Sequence, residues 1–154
     1  MRVKASAWYF PLLLTSLLVL MMACDTETPE QRAEKDREKI LDYLEEHDYD
    51  YEELDSGVFV VIEEEGSGNH PHENSTIRMT FEGYVLNGDL YNAGNNSNVQ
   101  VTSMVTGFRY GITSFKRGGS GMIFIPSDLG YGETGYGNLP YGEVLRYEVE
   151  IFDF

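Results

Sequence analysis

The last third of the chain, residues 118–154, constrains the fold most. An apolar run, Met122-Ile-Phe-Ile125, enters a long segment of Gly, Tyr and Pro, and the chain ends in a second run from Val144 to Phe154. The closing run alternates: Leu145, Tyr147, Val149 and Ile151 fall on one side, and Arg146, Glu148 and Glu150 on the other. Period-two alternation predicts a strand with one buried face. The intervening segment is too rich in Gly to pack as an element, yet it carries Tyr131, Tyr136, Leu139 and Tyr141. Large side chains on a loop between two core strands predict the rim of an apolar pocket.

A chain of 154 residues leaves room for one domain with appendages. Residues 1–23 read as an appendage. Arg2 and Lys4 make a positive start, Leu12 to Met22 is a short apolar core, and Ala23 precedes the only cysteine, Cys24. That pattern predicts a secretory signal joined to a lipidation site at Cys24, and the core is too short to remain as a spanning helix. A secreted chain with one thiol has no internal disulfide partner. The expected address is a bacterial cell envelope, periplasmic or outer membrane, with attachment through lipid. The whole chain carries a net charge of −15. Loss of Arg2 and Lys4 with the signal brings it to −17, a surface that repels nucleic acid.

The segment 24–55 is read as a tether and one helix. Thr28-Pro29-Glu30-Gln31 combines an N-cap, a first-turn proline and a capping-box glutamine. Ala33, Arg37, Ile40 and Leu44 form a narrow stripe flanked by Leu41 and Tyr43. So thin a stripe predicts a helix of roughly five turns that packs lightly or stands proud as a spacer or pad, and a monomer is expected. His47 to Asp55 reads as an acidic connector.

From residue 56 to 154 the chain reads as one α+β domain, an antiparallel sheet wrapped over a short helix. Val58 to Glu63 and Ser75 to Leu86 predict strands, and Asn87-Gly88 is a strong hairpin turn. Asn95 to Asn98 reads as a polar loop before a strand at Val99 to Thr102. Val105, Phe108, Ile112 and Phe115, spaced three, four and three, mark the helix. His70, His72 and Glu73 lie close in sequence, but nothing beside them fixes a metal geometry, so an exposed loop is the reading and no metal is expected. No Ser-His-Asp set, phosphate loop or dinucleotide motif is legible, and no cofactor is implied.

With these residues in place, the stretch from Ser56 to Phe154 resembles FKBP-type peptidyl-prolyl isomerases. The resemblance rests on the Ile125-Pro126 strand end, the Gly130-Tyr131-Gly132 turn, the Gly-rich flap and the Pro140-Tyr141 step. It rests also on Phe81-Glu-Gly-Tyr-Val-Leu-Asn-Gly-Asp-Leu-Tyr-Asn92, and on Met104-Val-Thr-Gly-Phe108 with Gly111-Ile112. It implies a pocket wall of Phe81, Tyr91, Met104, Val105, Phe108, Leu139 and Tyr147, with Tyr136 on the flap. The Tyr131 hydroxyl and the Val105 N–H would donate to substrate carbonyls, with Asn92 beside them. Phe81, Phe108 and Tyr147 fit simple core positions equally well. Asn92 stands where the family usually has Asp, keeping a carbonyl acceptor without the charge. Phe108 replaces the usual Trp, which predicts a deeper pocket without an indole N–H. The resemblance implies isomerisation of X-Pro bonds in proline-containing polypeptides, assisting the folding of extracytoplasmic proteins. The alternatives are a non-catalytic peptide-binding or chaperone lipoprotein that uses the same pocket, and a scaffold subunit of an envelope complex.

Overall fold

The computed structural model describes residues 27–154; the signal segment and Cys24 lie outside them. The first helix, α1, spans Pro29–Glu46. The Thr28 hydroxyl accepts the Gln31 N–H at 3.2 Å, and the Gln31 side chain takes the Thr28 N–H at 2.9 Å. This is the reciprocal box that the sequence of the segment predicts, and such a cap is worth about 1 kcal/mol.

Six strands follow: β1 (Glu52–Glu53), β2 (Phe59–Glu64), β3 (Thr76–Val85), β4 (Leu90–Gln100), β5 (Ser120–Ile125) and β6 (Leu145–Asp153). They form one antiparallel sheet in the order β1-β2-β5-β6-β3-β4. The second helix, α2 (Thr106–Ile112), lies between β4 and β5 in the chain. Short 3₁₀ turns follow β4 at Val101–Ser103 and β5 at Ser127–Leu129. The Asn87-Gly88 turn closes β3 on β4, with the Val85 N–H donating to the Asp89 carbonyl at 3.1 Å and Gly88 at φ 96°.

One face of the sheet is covered along its length and the other over β2 and β5. On one, α2 packs with Val58, Val60, Ile123, Ile125, Leu145, Tyr147, Val149 and Ile151. On the other, Ile40 and Leu44 of α1 pack with Phe59, Val61, Met122, Phe124 and Val144. β5 is therefore buried on both sides, which is why it reads as an unbroken apolar run while β6 alternates. The expectation of a lightly packed helix fails here. Ile40 and Leu44 are fully buried, each such burial being worth about 1.5–3 kcal/mol. The narrow stripe suffices because Ile40 and Leu44 meet the apolar side chains Phe59, Val61, Met122 and Phe124 of β2 and β5.

Two further expectations are corrected. Asn95 to Asn98 is not a loop: β4 runs through it to Gln100, and Val101 turns into 3₁₀ rather than extending a strand. β4 is an edge strand, so its polar side chains face water while its backbone pairs with β3. A bulge falls opposite Thr80, where Asn96 adopts φ 46° and donates its N–H to the Thr80 hydroxyl at 3.2 Å. In the acidic connector, Glu52 and Glu53 pair with Val60 and Phe59 as β1. Arg37 fixes that strand to α1 through two bonds to Glu53, each 2.8 Å.

Helix α2 approaches β5 closely because two glycines face the sheet. A Cβ at Gly107 would overlap Cγ2 of Ile125, and one at Gly111 would overlap Cγ2 of Ile123. The apolar stripe from Val105 to Phe115 locates the helix, and the glycines set its distance from the sheet.

Candidate active site

Gly83 makes the floor of the site possible. On β3 it pairs with Asn92 of β4 on one side and Tyr147 of β6 on the other. A side chain at Gly83 would fill the space between them: a Cβ there would stand 3.0 Å from Tyr147 Cε1 and 3.0 Å from Tyr91 Cζ. Without it, the two tyrosine rings meet over the sheet at 5.9 Å between centroids, edge to face at 76°. Gly94 serves likewise on β4, where the Phe81 ring occupies the volume a Cβ would need.

Tyr147 is fully buried at the centre of this aromatic group. Phe108 of α2 meets it edge on at 4.9 Å, and Phe81 lies 6.3 Å away. Tyr91 in turn stands perpendicular to Tyr131 at 6.0 Å. Met104, Val105 and Leu139 join the same cluster. Phe81, Tyr91, Phe108, Tyr131 and Tyr147, far apart in sequence, are thus linked ring to ring, and Met104, Val105 and Leu139 belong to the same core. Tyr136 joins them by stacking on Tyr131, with ring centroids 4.7 Å apart and planes 15° apart.

The aromatic group carries few polar atoms. The Tyr147 hydroxyl is surrounded by the side chains of Tyr91, Asn92 and Tyr131. Among the described residues, neither the Tyr91 nor the Tyr147 hydroxyl closes a well-formed bond, although both are buried. Proximity without good alignment describes this group. Burial is the main reason that the three phenols, Tyr91, Tyr131 and Tyr147, hold their protons above the ordinary tyrosine value; neighbouring phenols add to the effect at Tyr91 and Tyr131 and offset it in part at Tyr147. Tyr131 is therefore a donor throughout the neutral range. Val105 is the N-cap of α2, where the backbone N–H has no place in the helical ladder.

Above this floor a cavity of about 370 Å³ opens between the β3–β4 hairpin and the flap. Tyr91, Tyr136 and Leu139 line it, together with Val85, Leu90, Asp89 and Glu143. Phe108 and Tyr147 are fully buried, and neither they nor Phe81, Asn92, Met104, Val105 and Tyr131 line it. Val85, Asp89, Leu90 and Glu143 escaped the sequence reading. The Asn87-Gly88 turn gave a usable signal, since it folds residues 85–90 back beside the pocket aromatics. His70, His72 and Glu73 lie apart from the site. His70 Nδ1 is 2.9 Å from the Thr113 carbonyl, and Glu73 pairs with Arg109 at 3.0 Å.

Comparison with known proteins agrees with this geometry. A family model described as FKBP-type peptidyl-prolyl cis-trans isomerase matches residues 67–152, more than half of the chain. The chain is 31% identical over 102 residues to FkpA, an FKBP-type peptidyl-prolyl cis-trans isomerase of Buchnera aphidicola subsp. Baizongia pistaciae, covering 64% of this chain and 41% of that one. It is 28% identical over 109 residues to a probable FKBP-type isomerase of Haemophilus influenzae, covering 68% and 45%. The chain thus spans less than half the length of these curated relatives. Two crystal structures share the fold at 21% identity and a TM-score of 0.67. The isomerase from Pseudomonas syringae pv. tomato covers 82% of this chain and 96% of its own, and FkpA from Escherichia coli covers 99% and 74%. The chain belongs to the FKBP-type peptidyl-prolyl cis-trans isomerase family.

Proposed function

We propose that this protein is a peptidyl-prolyl cis-trans isomerase that works on proline-containing polypeptides outside the cytoplasm. The observation that carries the reading is the placement of a protonated donor, Tyr131, at the edge of a floor built from Phe81, Tyr91, Phe108 and Tyr147. Rotation about an X-Pro bond meets a barrier of roughly 18–20 kcal/mol, because amide resonance is lost as the bond twists. The twisted amide has less charge separation than the planar one and suffers less from leaving water, so an apolar enclosure favours it. The Tyr131 hydroxyl and the Val105 N–H hold the flanking carbonyls, and the Asn92 side chain offers a neutral acceptor beside them. No covalent bond forms and no proton is transferred. A gain of about 1000-fold asks for only about 4 kcal/mol.

A protease-coupled assay on Xaa-Pro tetrapeptides tests this reading. Catalysis is expected, with preference for an apolar residue before proline, because the aromatic floor of Phe81, Tyr91, Phe108 and Tyr147 offers apolar contact. Measurable binding of proline peptides without catalysis would instead make the protein a binding module.

The division into a signal at residues 1–23, a tether and helix at 24–55 and an isomerase domain at 56–154 accompanies this proposal. So does lipid attachment at Cys24, which would hold a monomer to the cell envelope. The charged start, the short apolar core and Ala23-Cys24 support it. Cys24→Ser is expected to release the protein from membranes or leave an uncleaved precursor. A variant that fractionates like wild type, with no acyl mass on the wild-type protein, would refute the attachment.

A further inference from the structure

Helix α1 holds the loop that carries Tyr131, and it does so on both sides of that residue. Asp36 is 1% exposed, in the middle of a helix otherwise covered with solvated charge. Its Oδ2 accepts the Ser127 backbone N–H at 3.0 Å, and its Oδ1 takes Lys39 Nζ at 2.8 Å. A carboxylate so buried persists only when its oxygens are occupied, and both are. Ser127, also fully buried, opens the 3₁₀ turn after β5. Its carbonyl accepts the N–H of Gly130 at 3.2 Å and of Gly132 at 2.8 Å, the residues that bracket Tyr131. One backbone unit is therefore fixed to α1 through its N–H and to both neighbours of Tyr131 through its carbonyl.

The second attachment lies beyond Tyr131. Arg32 Nη1 bonds Glu133 Oε1 at 3.0 Å, while Arg32 Nε takes Glu27 at 3.2 Å. Arg32, Asp36, Ile40 and Leu44 stand four residues apart along one side of the helix. The last two fasten α1 to the sheet, and the first two reach the loop.

We propose that α1 belongs to the scaffold of the active site. Asp36 is a positioning residue that sets the place of the Tyr131 hydroxyl through Ser127, and Arg32 steadies the far side of the loop through Glu133. The catalytic half of this statement rests on the role given to Tyr131 above. The mechanical half does not.

The test uses Asp36→Ala, Asp36→Asn, Arg32→Ala and, as a control on the same helix, Arg37→Ala, whose bonds go to Glu53 of β1 rather than to the loop. Amide hydrogen exchange is read by mass spectrometry over residues 127–134 and over β3 and β6. Asp36→Ala is expected to speed exchange about tenfold in the loop, the effect of losing one buried bond, with both strands unchanged. Arg32→Ala acts in the same direction. Asp36→Asn keeps an acceptor for the Ser127 N–H and restores protection, and Arg37→Ala leaves the loop as in wild type. In parallel, kcat/KM of Asp36→Ala is expected to fall about fourfold, within what loss of the Tyr131 hydroxyl itself costs, but less than about twofold when Tyr131 is already Phe.

Unchanged loop exchange in both Asp36→Ala and Arg32→Ala would overturn the clamp. Equal loosening in Arg37→Ala, or losses that add fully in the Tyr131→Phe background, would reduce Asp36 to a stabilising contact and overturn its positioning role. If Asp36→Ala does not fold, Asp36→Asn and the half-exposed Arg32→Ala carry the exchange test. A wild-type protein without isomerase activity whose loop still loosens in these variants would defeat the proposed function and leave the clamp standing.

Discussion

Tyr136 lies flat on Tyr131, ring centroids 4.7 Å apart and planes 15° apart. Tyr136 is 57% exposed and stands on the flap, while Tyr131 beneath it is half-buried. The stack joins the glycine-rich flap to the fixed aromatic floor, and it bears directly on the hydroxyl proposed to bind substrate. Tyr131→Phe keeps the ring and the stack while removing the donor. Its kcat/KM is expected to fall by a factor equivalent to about 1 kcal/mol, with Tm nearly unchanged. Full activity in Tyr131→Phe would remove that role from the hydroxyl.

Asn92 approaches the Tyr147 hydroxyl across the gap that Gly83 leaves. Asn92→Asp adds a charge beside the uncharged phenols of Tyr91, Tyr131 and Tyr147. If an anionic acceptor favours the bound turn, turnover should rise in the already active protein while peptide affinity changes little. A change in affinity without any change in kcat would assign Asn92 to binding alone. The measurement is kcat and KM across peptides that vary only the residue before proline.

The spacing of α2 from β5 is set by Gly107 and Gly111 against Ile125 and Ile123. Alanine at either position overlaps a β-branched side chain in the core, where neither partner can swing aside. Each substitution is expected to destabilise by about 1–3 kcal/mol, read by denaturant unfolding. Gly107→Ala should also reduce activity more than Gly111→Ala at equal loss of stability, since Val105 with its free N–H lies at that end of the helix.

Alkaline pH should expose the buried phenols. Tyr91, Tyr131 and Tyr147 have folded-state values raised above the ordinary value, first by burial. Above a pH of about 10 the unfolded chain loses these protons while the folded one keeps them. The folded state then binds more protons, so stability is intact below that pH and declines above it. Thermal melts from about pH 7 to about pH 11 should show a steepening loss, and Tyr91→Phe should flatten it. Because the buried Tyr91 hydroxyl closes no well-formed bond among the described residues, the same variant should melt at or above the wild-type temperature at neutral pH. A pH profile identical to wild type would show that Tyr91 titrates normally.

Much of this protein is written in short-range patterns. The Thr28 box, the Asn87-Gly88 turn, the alternation of Leu145 to Ile151 and the helical spacing of Val105 to Phe115 each depend on residues within a turn or two of one another. The structure places an element at each. The aromatic group of the candidate site was also legible, because Phe81, Tyr91, Phe108, Tyr131 and Tyr147 sit in recognisable motifs on those elements.

What escaped depends on neighbours far along the chain. Asn95 to Asn98 is polar enough for a loop, and only pairing with β3 makes it strand. Gly83 falls inside an expected strand and Gly107 and Gly111 inside an expected helix, and nothing local says why these positions, or Gly94, lack a side chain until the rings and branched side chains that fill their missing Cβ volumes are in place. Asp36 looks like one more solvated charge, and its partner Ser127 lies 91 residues away. Sequence patterns report the periodicity of an element and the chemistry at its ends, because these are local. Which side chain is missing so that another can fit, and which carboxylate is taken out of water, is decided only when distant segments are packed together.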